Sequence, residues 1–265
     1  MQDSISIEPE NIQEIFQKIK EKQPLIHMIP NAVSVSLCAD GLSALGARPL
    51  MAVAPQEMEE IVSQADGIVV NLGQLTLEKR EAAYIALKTA VREEKPVVLD
   101  PVGCGASAFR LHTVQELLEI PWKGIMKGNQ SEVYSIQQKT LTKEGIDSRK
   151  DREVSAMTTQ GRILLVSGAS DQILWKGGNK KLWKKKPRKY NIVGTGCLLG
   201  ALAGACHSVT DTPEKAAQAA AIGMMYALEQ ADKAVGYGQA KMVLLDILAQ
   251  LEESSFLDWM KGKEQ

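Results

Sequence analysis

The sequence has few of the residues from which zinc centres and disulfide frameworks are built. It contains three histidines without the spacing of metal ligands, and its four cysteines form no CxxC pair: Cys38, Cys104, Cys197 and Cys206. Zinc sites need closely spaced cysteine and histidine ligands, and secreted disulfide proteins need paired cysteines. We therefore expect neither feature, and a reducing cytoplasm is the simplest compartment for this chain.

Excess charge and long apolar runs are also lacking. The formal net charge is −1, so no overall positive field would recruit nucleic acid or an anionic membrane. No apolar run approaches the length of a membrane span, and residues 1–16 lack the basic and apolar regions of a signal peptide. We expect a soluble protein that binds neither a membrane nor nucleic acid.

One basic cluster, KKLWKKKPRK at residues 180–189, departs from this balance. A basic patch that contains a tryptophan is one feature of nucleic-acid-binding surfaces. Because the rest of the chain adds no positive field, we interpret the cluster as a solvated hairpin or loop.

The sequence does contain a regular alternation of short β-branched runs and helical patterns. Strands are predicted at residues 24–28, 49–54, 67–72, 96–100, 124–127 and 162–167, with a hairpin partner at 172–176. Helices are predicted at residues 10–22, 31–45, 55–65, 75–94, 111–120, 131–138, 149–160, 195–208, 213–234 and 239–253. Strands separated by helices of this length indicate right-handed βαβ crossovers.

This alternation predicts an α/β fold with a mostly parallel central sheet and helices on both faces. No linker or internal repeat divides the chain, so we expect one domain over residues 1–265. Within it we expect an N-terminal helix at residues 8–22 and a C-terminal tail at residues 254–265. In such sheets, ligands bind at the carboxyl ends of the strands.

Acidic residues lie at this edge of the predicted sheet. Asp100 ends the strand PVVLD, and Glu132 follows the next strand at the start of a helix. Two carboxylates at one edge are suited to hold Mg²⁺, largely through water, opposite nucleotide phosphates. The alternative is an aspartate that caps a helix and a glutamate in a first turn, both purely structural.

The string Gly194-Thr195-Gly196-Cys197 follows a polar stretch and opens a helix of small residues. Glycines let the backbone approach a ligand, and the N–H groups and dipole of a helix start favour an anion. This arrangement suits the charge of a transferring phosphoryl group. The alternative is a tight turn without a ligand, with Cys197 as a buried, inert thiol.

A second glycine-rich string, GCGASA at residues 103–108, has the pattern of a dinucleotide-binding loop. Pro101 and Val102 separate it from the preceding strand, and no acidic strand end follows at the usual distance. We therefore favour a loop that faces phosphate or magnesium over an NAD site.

Six strings in order resemble the signature blocks of hydroxyethylthiazole kinases. Between residues 24 and 197 they are PLIHMIPNAVSVSLCADGLSALGARPLMAVAPQEMEEI, GIVVNLGQL, PVVLDPVGCGASAFR, KGNQSE, VSGASD and VGTGC. The resemblance covers about residues 24–235, and Cys197 stands where most ribokinase-like relatives carry aspartate. It implies a ribokinase-like fold and Mg²⁺-dependent transfer of the ATP γ-phosphate to 4-methyl-5-(2-hydroxyethyl)thiazole in thiamine salvage. The family is commonly trimeric, with active sites near subunit boundaries.

The resemblance also assigns roles to individual residues. Magnesium would be associated with Asp100 and Glu132. ATP would be bound by Lys127, Asn129, Ser167 and Gly168. The thiazole site would be lined by Asn31, Met51, Gly194 and Cys197. The catalytic anion hole would comprise Gly194, Thr195, Gly196 and Cys197, with the thiol at the acceptor hydroxyl.

The chain departs from the family pattern at positions that we expect to cluster around the acceptor pocket. These are Pro30 for threonine, Ala32 for an aromatic residue, Ser36 for asparagine and Arg48 for serine. They leave open a ribokinase-like kinase for another small alcohol, such as hydroxymethylpyrimidine.

At the phosphate side, Lys127 replaces the usual arginine and loses its bidentate fork, whereas Ser167 keeps the hydroxyl of the usual threonine. The basic cluster stands in place of the family's Asn-Gly-His segment. These changes leave open a non-catalytic protein that binds thiazole or nucleotide.

Overall fold

The computed structural model describes residues 8–142, 154–156 and 161–264. The strands are β1 Leu25–Ile29, β2 Arg48–Leu50, β3 Gly67–Asn71, β4 Val97–Asp100, β5 Gly124–Asn129, β6 Arg162–Ser167, β7 Ser170–Trp175 and β8 Gly178–Lys184. The helices are α1 Pro9–Lys22, α2 Val35–Leu45, α3 Met58–Gln64, α4 Leu77–Arg92, α5 Ala108–Glu119, α6 Gln130–Gln138, α7 Thr195–Ser208, α8 Pro213–Ala231, α9 Tyr237–Leu248 and α10 Ser254–Glu264.

The strands form one sheet in the order β2-β1-β3-β4-β5-β6-β7-β8. The first six strands in this order, β2-β1-β3-β4-β5-β6, run parallel to their neighbours. Strands β7 and β8 continue the sheet as antiparallel strands. The predicted α/β fold with a mostly parallel sheet is thus confirmed, as is the hairpin partner of β6. Because β1 to β6 are parallel, the residues that follow them meet at one edge.

Two hydrophobic cores lie on the two faces of the sheet. Alternate residues of β3 belong to different cores. Val69 belongs to the core formed with α1, α2 and α7–α10, whereas Ile68 and Val70 belong to the core formed with α3–α6. This is the period-two alternation of a strand buried on both faces. The predicted helices on both faces are therefore confirmed.

Close packing fixes α7 against the sheet. Gly204 lies against Val69, and a Cβ atom at Gly204 would collide with that side chain. The small side chains of α7 allow this close approach to the sheet.

In the part of the chain that the structure describes, no helix is long and apolar enough to span a membrane.

Several boundaries differ from the sequence predictions. Helix α2 begins at Val35 rather than at residue 31, and β2 ends at Leu50 rather than at residue 54. The basic cluster begins within β8, an edge strand that the sequence patterns did not predict. The predicted helix at residues 149–160 falls almost wholly outside the described residues.

The segment expected as a C-terminal tail forms α10. Its Phe256 and Met260 are fully buried, and the Phe256 ring meets Phe16 of α1 edge-on with 5.6 Å between centroids. The apolar residues of residues 254–264 follow a helical spacing that gives this short helix one buried face. The segment therefore belongs to the core.

Candidate active site

A buried ion pair lies at the carboxyl edge of the sheet. Lys127 Nζ on β5 is 3.2 Å from Oδ1 of Asp100, the last residue of β4, and their side chains are 6% and 1% exposed. Burial raises the pKa of Asp100, and Lys127 and Asn71 oppose that rise. Burial by itself would lower the pKa of Lys127, but the carboxylates of Asp100 and Glu132 outweigh it and raise that pKa. The ammonium group therefore stays charged at neutral pH.

Glu132 is held at the start of α6 by a capping box. Its backbone N–H donates to Asn129 Oδ1 at 2.9 Å, and its Oε2 accepts from the Asn129 backbone N–H at 2.8 Å. Its Oε1 accepts from the backbone N–H of Gly103 at 2.8 Å. Gly103 has φ 65°, a conformation that favours glycine. The alternative of a structural first-turn glutamate therefore applies to Glu132, because the residue takes part in the capping box of its helix.

Glu132 nevertheless also belongs to the charged group around Lys127. Burial raises the pKa of Glu132 to about 7, with the attraction of Lys127 opposing the rise and the repulsion of Asp100 adding to it. Two acidic groups therefore lie beside one ammonium group, and a cation bound there would favour the ionised form of Glu132.

This donor set fits Mg²⁺, which prefers oxygen ligands and usually keeps several waters. All four carboxylate oxygens of Asp100 and Glu132 already contact protein donors, so they suit a cation held largely through water. Within the described ranges, no cluster of three or more Cys, His, Asp or Glu side chains forms a metal site. The two carboxylates are the groups that would hold the ion.

The N-terminus of α7 faces Lys127. A Cβ atom at Gly196 would lie 3.5 Å from Lys127 Nζ, so the backbone of this first turn is close to the ammonium group. Gly194 precedes the helix with φ 91°, and a Cβ atom there would come within 2.9 Å of Ser34. The backbone N–H groups of a first turn have no partner within the helix. They and Lys127 together provide a positive region for an anion.

Asn31 and Cys197 meet on the other side of this turn. Asn31 Nδ2 lies 3.2 Å from Cys197 Sγ, and the Asn31 side chain is buried whereas Cys197 is half-buried. The helix predicted to begin at residue 31 begins only after Ser34, so Asn31 lies before it. Asn31 Oδ1 accepts from the backbone N–H groups of Val33 and Ser34 and closes the turn before the helix.

The remaining predicted residues lie at neighbouring strand ends. Ser167 pairs with Asn129 across β5 and β6, and the Gly168 backbone N–H donates to Asp171 Oδ1 at 3.1 Å. Thr195 turns its hydroxyl back to Ile192 O at 3.1 Å rather than outwards. Met51 follows β2 and packs, half-buried, against the core.

Two buried residues of this edge were not predicted. Asn71 ends β3 and contacts both Asp100 and Asn31. Lys79 of α4 is buried and its Nζ donates to Pro30 O at 2.6 Å and to Gly73 O, while burial lowers its pKa to about 8. A polar residue at the end of a buried strand was a signal for Asn71, as it was for Asp100, but Lys79 resembles any helical lysine.

The four departures from the family pattern do not all lie at the acceptor side. Arg48 pairs with Leu25 at the start of β1, which is the amino edge of the sheet, and its side chain donates to Gln23 O at 2.8 Å. The expectation that Arg48 lines the acceptor pocket is therefore wrong. Pro30 and Ala32 flank Asn31 and remain at the carboxyl edge.

The sheet order and the helices on both faces define a ribokinase-like α/β fold. A ribokinase-like superfamily protein from Enterococcus faecalis is similar in fold, with a TM-score of 0.58 at 12% identity over 90% of this chain and 94% of that chain. The ADP complex of pyridoxal kinase from Bacillus subtilis has a TM-score of 0.54 at 13% identity, covering 74% of this chain and 88% of that one. At these identities, the likeness concerns the fold alone.

The chain belongs to the hydroxyethylthiazole kinase family, whose family model matches residues 16–254. It is 33% identical to hydroxyethylthiazole kinase of Vibrio campbellii over 95% of this chain and 97% of that protein. It is 35% identical to the Syntrophus aciditrophicus protein of that name, over 94% and 95%. The structure of a hydroxyethylthiazole kinase from Pyrococcus horikoshii OT3 has a TM-score of 0.79 at 29% identity, covering 92% of this chain and 95% of that chain. The predicted kinase family is confirmed.

Proposed function

We propose that the chain transfers the γ-phosphoryl group of ATP to the primary alcohol of 4-methyl-5-(2-hydroxyethyl)thiazole. The product would be the thiazole phosphate that thiamine salvage uses. The observation that carries this proposal is the buried Lys127–Asp100 pair beside Gly196 at the N-terminus of α7. Family membership supplies the acceptor, and the positive region at the sheet edge suits the phosphoryl group.

Positioning and electrostatics account for most of the rate in this mechanism. The hydroxyl oxygen of the acceptor forms a bond to the γ-phosphorus, and the bond between that phosphorus and the β,γ-bridging oxygen breaks. ADP leaves, and the hydroxyl proton passes to solvent. Lys127 and the backbone N–H groups from Gly194 to Cys197 stabilise the negative charge of the transferring group.

On the nucleotide side, Lys127, Asn129, Ser167 and Gly168 bind the phosphates in this proposal. Asp100 and Glu132 would hold Mg²⁺ through water. When bound, the ion neutralises charge on the phosphate oxygens. The carboxyl-edge position of Asn129 and Ser167, paired across β5 and β6, supports the assignment.

On the acceptor side, Asn31, Met51, Gly194 and Cys197 line the thiazole site, with the Cys197 thiol next to the hydroxyl. We also place the protein in the cytoplasm as a homotrimer, with subunit boundaries near this site. Val33 lies two residues after Asn31 and Val193 directly precedes Gly194. They are 63% and 62% exposed in the single chain, and a neighbouring subunit would cover such apolar side chains.

The test measures ADP release from Mg-ATP by the purified chain, with and without hydroxyethylthiazole. Thiazole-dependent release that disappears when Mg²⁺ is removed is the expected result. Hydroxymethylpyrimidine is assayed in parallel, because Pro30 and Ala32 change the acceptor side. A clear preference for the pyrimidine would replace the acceptor in this proposal. Tight thiazole binding without turnover would replace the kinase with a binding protein.

A further inference from the structure

Asn71 lies at the centre of the carboxyl edge of the sheet. It is the last residue of β3, its side chain is 0% exposed, and in the sheet register it faces Asp100 on β4. Strand β3 stands between β4 and β1, and β1 leads into Asn31. The Asn71 side chain therefore separates the proposed magnesium side from the proposed acceptor side.

The partners of the Asn71 amide fix its orientation. Nδ2 donates to Asp100 Oδ2 at 2.8 Å, and Oδ1 accepts from the Gly73 backbone N–H at 3.0 Å. A carboxylate only accepts and a backbone N–H only donates. Exchanging the amide nitrogen and oxygen would therefore place an acceptor against the carboxylate and a donor against the N–H group. In the one orientation that satisfies both partners, Oδ1 also accepts from Asn31 Nδ2 at 2.9 Å.

The amide of Asn31 is fixed in the same way. Its Oδ1 accepts from the backbone N–H groups of Val33 and Ser34 at 3.1 and 3.2 Å, so Nδ2 must face away from that turn. The same Nδ2 donates to Asn71 Oδ1 and to Cys197 Sγ. The group that contacts Cys197 is therefore held from two sides, by the turn at Val33 and Ser34 and by Asn71.

On the other side, Asp100 is shared between two donors. Its Oδ2 accepts from Asn71, which leaves Oδ1 to pair with Lys127 Nζ at 3.2 Å. One continuous chain of polar contacts therefore crosses the edge from the phosphate side to the acceptor side. In order, it comprises Lys127, Asp100, Asn71, Asn31 and Cys197.

We propose that Asn71 is a positioning residue that keeps Asp100 and Asn31 aligned, so that the phosphoryl donor and the acceptor hydroxyl meet in line. The inference rests on the proposed phosphotransfer. Asn71 lies behind the residues assigned to the substrates and acts through Asp100 and Asn31. Misplacement of reacting groups by about 1 Å costs on the order of 100-fold in rate, so such a residue affects turnover more than binding.

A merely structural role for Asn71 would give a different result. Its removal leaves Asp100 Oδ2 and Asn31 Nδ2 without this partner, and that loss costs stability whatever the function. Val70 provides a matched control, because it is the preceding residue, is equally buried and packs in the core on the opposite face. Val70→Ala therefore destabilises β3 without touching the polar chain.

The first test compares steady-state phosphotransfer by the wild-type chain, Asn71→Leu and Val70→Ala. For Asn71→Leu, which roughly conserves volume, we expect kcat to fall about 100-fold while both KM values change less than about threefold. Val70→Ala should keep kcat within about twofold. A kcat within threefold of wild type in folded Asn71→Leu, or an equal loss in Val70→Ala, would overturn the assignment.

The second test needs no turnover and so separates this inference from the proposed function. It records the side-chain amide resonances of Asn31 by NMR after Asp100→Asn, with and without Asn71→Leu. We expect Asp100→Asn to shift these resonances only when Asn71 is present. No shift at all, or the same shift in both backgrounds, would reject the link through Asn71. If the wild-type chain shows no kinase turnover but the expected resonance shifts are observed, the kinase proposal is rejected and the link through Asn71 is kept.

Discussion

Gly196 occupies a place where a side chain would take the space beside Lys127. Its Cβ position has open space apart from Lys127 Nζ at 3.5 Å, and its φ is not in the left-handed region. The fold therefore has room for a side chain here. In the proposed function, a side chain would take the space of the phosphoryl group, so glycine is required for binding rather than for folding.

Replacing Gly196 with valine tests the anion site directly. We expect Gly196→Val to lower turnover at least about 100-fold, because the branched side chain displaces the transferring group from the backbone N–H groups. The matched control is Gly238→Val, since Gly238 is also the second residue of its helix and has nothing near its Cβ position. Circular dichroism verifies folding and coupled ADP release measures turnover. Near-normal turnover in folded Gly196→Val would reject the site.

At the scale of elements, α10 completes the core on one face of the sheet. Its Phe256 contacts Phe16 of α1 and Tyr226 of α8, with 5.6 and 5.2 Å between ring centroids. An aromatic cluster that joins three helices adds packing energy beyond the buried area of each ring. The C-terminal segment is thus a structural element, and its removal should weaken the whole domain.

Phe256→Ala should lower the free energy of unfolding by about 3–5 kcal/mol, because it deletes a fully buried ring. Urea denaturation measures this change. Asp258→Ala, on the exposed side of the same helix, should change stability by less than about 0.5 kcal/mol. A loss below about 1 kcal/mol for Phe256→Ala would mean that α10 does not pack in solution.

At the scale of the whole molecule, buried histidines make stability depend on pH. Burial lowers the pKa of His27 on β1 and of His207 on α7 to about 4, from a usual value of 6.5. Between these values, the unfolded chain binds more protons than the folded one, so stability is lost as pH falls from 6.5 towards 4. Glu132 acts in the opposite direction, because its raised pKa makes the folded state take up a proton first.

A comparison of variants isolates the contribution of His27. We expect wild type to lose up to about 3 kcal/mol more than His27→Gln between pH 6.5 and 4, from a shift of about 2.5 pKa units. The glutamine can still donate to Ala52 O, which accepts from His27 Nε2 at 3.2 Å. Urea denaturation at several pH values gives both slopes. Equal slopes in the two proteins would show that His27 titrates normally in the folded state.

The amino-acid sequence was sufficient to predict the fold class, most strand positions and the family. Local spacing is sufficient for these, because alternation within β3 and the apolar pattern of α7 arise from neighbours a few residues apart. The start of α7 at Thr195 and the strand end at Asp100 agree with their predicted positions. Strand ends and glycines also identified Asp100, Glu132 and Gly194–Cys197 as candidates.

Which of these candidates are in contact became visible only in the folded chain. The contact between Asn31 and Cys197 joins residues 166 positions apart, and no local period contains it. The sheet order sets β3 between β1 and β4, and this placement makes Asn71 the link between Asn31 and Asp100. Arg48 lies at the opposite edge, because it is the first residue of β2 and pairs with Leu25 at the start of β1. Sequence periodicity shows which face a side chain occupies, but the partner across that face depends on how distant segments pack.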